Sequence, residues 1–170
     1  MASTLTVDNI QGATSADKVD IPGHVLQVKS GHLNTAVSTT STSFADISNL
    51  TATITPTSTS SKILINVDLG IVSTSTSNAI IFRLMRGSTE IGAATGATNE
   101  NCFIYVWPGG ASVFHSYANH FLDSPSTTSA TTYKLQWKMT GSTDTGYINR
   151  RNTDNYGRTS SNFTVMEIGG

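Results

Sequence analysis

Residues 62–72 read KILINVDLGIV, and their alternation decides the class of fold. Ile63, Ile65, Val67, Leu69 and Ile71 fall on one side of an extended chain, and Asn66 and Asp68 fall on the other. A period of two, with β-branched residues on the apolar side, marks a strand with one buried face. A helix would scatter the same residues around its circumference.

The pattern recurs outward from this stretch. In residues 131–139 (TTYKLQWKM), Tyr133, Leu135, Trp137 and Met139 alternate with Lys134, Gln136 and Lys138. Residues 79–86 (AIIFRLMR) put Ile80, Phe82 and Leu84 on one face and Ile81, Arg83 and Met85 on the other, so this strand should be covered on both sides. Further strands are expected over residues 24–30, 51–55, 101–107, 111–122 and 162–168. Turn chemistry separates them: Thr55-Pro56 with the Ser/Thr run to Ser61, Arg86-Gly87-Ser88, Pro108-Gly109-Gly110, Ser124-Pro125-Ser126 and Gly141-Ser142. No window carries a helical stripe preceded by a start signal. Eight or more short strands predict an all-β protein, a jelly-roll-like β-sandwich.

With 170 residues the chain holds one ordinary domain and a short appendage. Cys102 is the only cysteine, so no intrachain disulfide is available. The net charge is -1 and 12% of residues are charged, which argues against nucleic acid as a partner, since that needs clustered cations. Roughly fifty positions are Ser or Thr, well above ordinary usage. Such a composition suits a virion or fibrous β-protein better than a metabolic enzyme. No apolar run approaches the ~20 residues of a membrane helix, so no membrane insertion is expected. The opening MASTLTVDNIQG lacks the basic and apolar regions of a signal peptide, as expected of a protein made in a host cytoplasm and released by lysis.

Residues 1–23 are short on large apolar side chains and end at Pro22-Gly23. They cannot build a core alone and are read as a docking or oligomerisation segment, a disordered tail being the alternative, with residues 24–170 as the β-sandwich head domain.

Four stretches resemble small tail-fibre or receptor-binding-type virion proteins of marine tailed phages, cyanophages in particular. They are ASTLTVDNIQG with IPGHVLQV, then STSFADISNLTATITPTSTSSKILI, then FRLMRGSTEIG, and finally LDSPSTTSATTYKLQW with the closing FTVMEIGG. Their likeness lies in their order along nearly the whole chain, and none is a catalytic signature. The resemblance implies a homotrimer built into a virion, with residues 1–23 attached to other virion proteins and the head facing the host. No internal repeat of a long fibre shaft occurs, so a short fibre, a knob or a decoration protein of capsid or tail is implied.

Chemistry for catalysis is not marked out. There is no Gly-x-Ser-x-Gly elbow, and Cys102 alternates with Ile104 and Val106 as a packing thiol would. A glycan-degrading enzyme needs two carboxylates across a sugar bond, and Asp68, Asp123 and Asp144 show no such pairing in sequence. The chain is expected to be no enzyme and to need no cofactor. No metal site is predicted. A histidine near a three-fold axis would meet its two copies and could bind a cation, and His24, at the start of the head domain, is the weak candidate for that place.

Receptor contact is expected from a loop on a rigid sheet. The stretch 145–162 mixes aromatic rings with planar polar groups: Tyr147, Asn149, Arg150, Arg151, Asn152, Asp154, Asn155, Tyr156 and Arg158. Arg150 and Arg151 could pair with anionic sugars or phosphates of a host-surface glycan. A solvated hairpin or an intersubunit salt bridge would use the same residues. The second candidate is residues 99–110, with Tyr105 and Trp107, where Trp107 could equally serve an interface or the core. A purely architectural role, without receptor binding, fits the same sequence.

Overall fold

The computed structural model describes residues 23–107, 109, 113–152, 154 and 156–170. Of residues 1–23, read above as a docking segment, all but Gly23 lie outside the described residues. Every regular element among the described residues is a strand, and the fold is all-β. Among the described residues no helix is long and apolar enough to cross a membrane.

The strands in chain order are β1 (Val25–Leu33), β2 (Val37–Thr39), β3 (Ala45–Ile54), β4 (Lys62–Thr74), β5 (Ile80–Arg86), β6 (Thr89–Ile91), β7 (Ile104–Val106), β8 (Phe114–Asp123), β9 (Thr131–Met139), β10 (Gly146–Ile148) and β11 (Ser161–Ile168). They form two antiparallel sheets around one core, a sandwich-like arrangement. In sheet A, β8 lines one edge of β4. The other edge of β4 is shared end to end by β11, over residues 62–68, and β10, over residues 72–74. Outside these lie β1 against β11 and β2 against β10. Sheet B runs β3-β9-β5, and β7 and β6 share the outer edge of β5.

The patterns in the sequence supply the core. Ile63, Ile65, Val67 and Leu69 of β4 are at most 2% exposed, as are Tyr133, Leu135 and Met139 of β9. Each such aliphatic side chain contributes ~1.5–3 kcal/mol by leaving water. A one-residue slip would turn all of them outward, so register is strongly fixed. Phe82 and Trp137 stack with ring centres 6.3 Å apart between β5 and β9. Ile81 and Met85, on the opposite face of β5, are also buried, as the two-sided pattern required.

Three departures matter. The alternation of β4 slips after Leu69, so Val72 is fully buried and Ile71, expected on the core face, is only half-buried. The extra residue is a bulge at Gly70 and Ile71, where the register with β8 shifts. β3 begins earlier than expected, at Ala45, and carries an irregularity between Asp46 and Thr51 with Asn49 at φ 67°. The short strands β2, β6 and β10 lie in stretches without alternation long enough to read. Where the edges β1 and β3 meet, a Cβ on Gly31 would stand 2.3 Å from the Asn49 carbonyl oxygen and 2.5 Å from that of Thr51. Only glycine lets these backbones approach so closely.

One end of the sandwich is closed by a buried acid. Glu167 is fully buried and accepts hydrogen bonds from Gln27 Nε2 (2.6 Å) and from the Thr57 amide and hydroxyl (2.7 Å each). Burial pushes its carboxyl up, but these donors outweigh that and hold it below the ordinary glutamate value.

Candidate functional site

The stretch read as a receptor loop is an excursion between two halves of one sheet position. β10 leaves the edge of β4 at Ile148, and β11 rejoins the same edge at Asn162. Between them the chain turns back on itself, with Arg150 and Arg158 paired as an antiparallel bridge. Asn149 closes the base. Its amide donates to the Ile71 carbonyl (2.6 Å), and its carbonyl accepts from the Thr159 amide (3.3 Å). Its side-chain Nδ2 donates to the Leu33 and Thr35 carbonyls (2.8 and 3.0 Å), where β1 breaks before β2. Its Oδ1 accepts from the Ser161 and Thr159 hydroxyls (2.7 and 3.4 Å). Those same hydroxyls accept the Gly70 and Ile71 amides turned out by the bulge.

Asn149 was expected to face a receptor. It is fully buried, at φ 63°, and a buried amide using all four of its hydrogen-bonding positions has nothing left for a ligand. Its role is to pin the loop. A Cβ on Gly70 would lie 2.7 Å from Asn149 Oδ1 and 2.3 Å from Thr159 Oγ1, so the clamp also dictates glycine at the bulge.

Tyr147, Arg150, Arg151, Asp154, Tyr156 and Arg158 keep at least part of their surface in solvent at this loop, whereas the Asn152 side-chain oxygen is buried without a hydrogen-bond partner. Tyr147 is half-buried on β10, with the Arg150 guanidinium 4.7 Å from its ring centre. Arg150 Nε donates to the Arg151 carbonyl (3.0 Å). Arg151 grips Asp154 through Nε and Nη2 (2.6 and 2.7 Å) and stacks 5.1 Å from the centre of the Tyr156 ring. The hydrogen bonds from Arg151 and from the Tyr156 amide hold the Asp154 carboxyl below its ordinary value. Tyr156 is 89% exposed, and Asp154 and Arg158 are exposed. Asn155 lies outside the described residues. The loop thus offers a ring and guanidinium edges, with Arg151 already neutralised by its neighbour.

Trp107 is not part of this cluster. It follows β7 in sheet B, is 63% exposed, and donates its indole N–H to the Ser77 carbonyl (2.6 Å). His24 is exposed at the start of β1. Among the described residues no three His, Cys, Asp or Glu side chains converge as a metal site would require. Cys102 is half-buried, and burial, then Glu100 and Glu90, push its thiol up.

The aspartates noted in the sequence stand apart, each in its own structural setting. Asp123 receives Arg86 Nη1 on both oxygens (2.8 and 2.9 Å) and the Tyr133 hydroxyl (2.7 Å). Asp144 is 1% exposed and takes the Thr76 hydroxyl and the Asn78 amide, fixing the β4–β5 turn. Asp68 is exposed on the outer face of β4.

The two outer sheet faces differ, and the sequence pattern did not disclose it. On sheet B, Asp46, Lys134, Gln136, Arg83 and Glu90 form a ladder of hydrogen bonds and ion pairs. Phe44 lies under Arg83 and Lys138, and Glu100 is paired to Lys138 (2.6 Å). On sheet A, the registers align Val28, Met166, Leu64 and Leu122 in one row across four strands. Val28 is 51% and Leu122 50% exposed, with Val25 exposed nearby. The next row, Ser30, Thr164, Asn66 and His120, is polar. No protein family and no curated protein matches the chain.

Proposed function

We propose that the chain is a non-catalytic structural and adhesive subunit of a phage virion, a jelly roll that trimerises and turns its loops toward host-surface glycan. The jelly-roll reading is supported by strand order. If β1 with β2, β6 with β7, and β10 with β11 each count as one broken strand, eight strands remain. Their order is first-eighth-third-sixth in sheet A and second-seventh-fourth-fifth in sheet B, the order of an eight-stranded jelly roll.

The observation that carries self-association is the uncovered apolar row on sheet A. Val28 and Leu122 are half exposed, and completing their burial is worth about 1 kcal/mol each, repeated in every copy. Gly23, the last residue of the segment read as docking, donates to the Gly169 carbonyl (2.7 Å) just before β1, so attachment to other virion proteins through that segment would begin at the β1–β11 edge of sheet A. The number three rests on the likeness to tail-fibre proteins.

The test is mass in solution by light scattering across a dilution series. A trimer resisting dissociation is expected, and Leu122→Lys should shift it toward smaller species. A wild-type monomer at all concentrations refutes the assembly. An architectural role without receptor contact is favoured by one observation: Arg151 and Asp154 already satisfy each other. Adsorption of particles carrying Arg150→Ala or Tyr156→Ala separates the two, since a purely architectural subunit has no adsorption to lose.

A further inference from the structure

A sheet edge seldom holds two aromatic rings in water without a use for them. The pleat of β7 sends Ile104 and Val106 into the core and Tyr105 outward, with Trp107 next on the same side. Tyr105 is 55% and Trp107 63% exposed, and two strand positions set them roughly 7 Å apart. Neither ring stands on a loose support. Tyr105 is paired in register with the buried Ile81 of β5, and Trp107 is tied to Ser77 through its indole N–H.

Beside Tyr105 runs a groove of about 600 Å³, between residues 97–100 and the end of β9. Ile81 lies at its floor, Thr42 and Asn99 line it with hydroxyl and amide groups, and Thr140 borders it with its hydroxyl held by the Ala79 amide and carbonyl (2.9 and 3.3 Å). Lys138 and Glu100, which also border the groove, neutralise each other at 2.6 Å. The site therefore combines a flat apolar wall, uncharged hydrogen-bonding groups and no unmatched charge of its own.

We propose that this groove binds a neutral oligosaccharide. The C–H face of one sugar ring stacks on Tyr105, the next sugar reaches Trp107, and the sugar hydroxyls meet Thr42 and Asn99. Anionic sugars are disfavoured because the lysine at the groove is already paired. The groove opens on sheet B, so assembly through sheet A leaves it accessible. The inference rests on the adhesive reading above for its biological use, though its chemistry does not depend on trimer formation.

The full chain is titrated with neutral hexasaccharides (maltohexaose, cellohexaose, mannohexaose) and with a heparin hexasaccharide, read by tryptophan fluorescence. Trp107 is the exposed one of the two tryptophans, since Trp137 is 4% exposed. At least one neutral sugar should give a saturable shift. Tyr105→Ala should weaken it roughly tenfold or more, the equivalent of one lost stacking contact. Tyr105→Phe should retain binding, and Tyr156→Ala in the β10–β11 loop, which does not line the groove, should leave it unchanged. The proposal is overturned by no response to any neutral sugar at millimolar concentration, by response to heparin alone, by binding that survives Tyr105→Ala, or by loss in Tyr156→Ala. Mass measured on the same samples keeps the two readings apart. A trimer without sugar response removes only the groove, and a monomer that binds sugar removes only the assembly.

Discussion

Replacing Asn149 by alanine should damage the fold far more than its place in a surface-loop sequence suggests. The substitution removes two donors from the Leu33 and Thr35 carbonyls and an acceptor from the Ser161 and Thr159 hydroxyls. The bonds to Leu33 and Ser161 are fully buried. A buried polar group left without a partner costs about 1–3 kcal/mol, so two of them cost about 2–6 kcal/mol. Alanine must also hold the φ of 63° that asparagine tolerates, adding about 1 kcal/mol. The sum is a large share of the ~5–15 kcal/mol that holds an ordinary domain folded. Urea denaturation followed by tryptophan fluorescence measures it, at one fixed protomer concentration because assembly would couple to stability. Asn149→Gly loses the same hydrogen bonds without the backbone penalty, so it should be the milder variant by about 1 kcal/mol. If Asn149→Ala unfolds within about 1 kcal/mol of wild type, the clamp is not what fixes the loop.

Three further outcomes follow from Glu167, Gly31 and Asp123. Glu167 is ionised below its ordinary value in the fold, so its contribution is complete above about pH 4.5 and is lost as pH falls through the lowered value. Glu167→Gln should cost about 1–3 kcal/mol near neutrality and show a shallower fall in denaturation midpoint between about pH 6 and about pH 3. Asp144, lowered in the same sense despite its burial, keeps part of that slope in the variant. Gly31→Ala places a methyl 2.3 Å from a backbone oxygen that cannot swing aside, and should cost about 3 kcal/mol or more, with exposed Ser30→Ala as the control. Asp123→Asn leaves the Arg86 guanidinium facing a neutral amide and should cost about 3 kcal/mol by the same assay.

How much could be read in advance depended on what each signal was made of. β4, β9 and β5 were legible because a buried face must alternate, and their apolar residues do. The slip at Gly70 was not, because a bulge is made by side chains from residues 159 and 161, far along the sequence. β10 is three residues long and owes its place to the edge of β4 rather than to any propensity of Gly-Tyr-Ile. In the loop, composition located Tyr156 and the arginines at the surface, yet it also suggested Asn149. Asparagine serves a ligand and a backbone clamp with the same atoms, and only the positions of Leu33, Thr35 and Ser161 decide between them. The groove beside Tyr105 draws on residues 42, 99, 105, 138 and 140, so only the side formed by the stretch 99–110 was visible in the chain.

The excursion between β10 and β11 begins and ends on a knot that is already tied. Because Asn149, Thr159 and Ser161 secure both ends to sheet A, the span between Arg151 and Arg158 can change length without loosening the core. Each doubling of such a span costs only about 0.6 kcal/mol in closure entropy. The protein therefore carries a socket for interchangeable tips, where foreign peptides could be grafted for display while the sandwich beneath keeps its register.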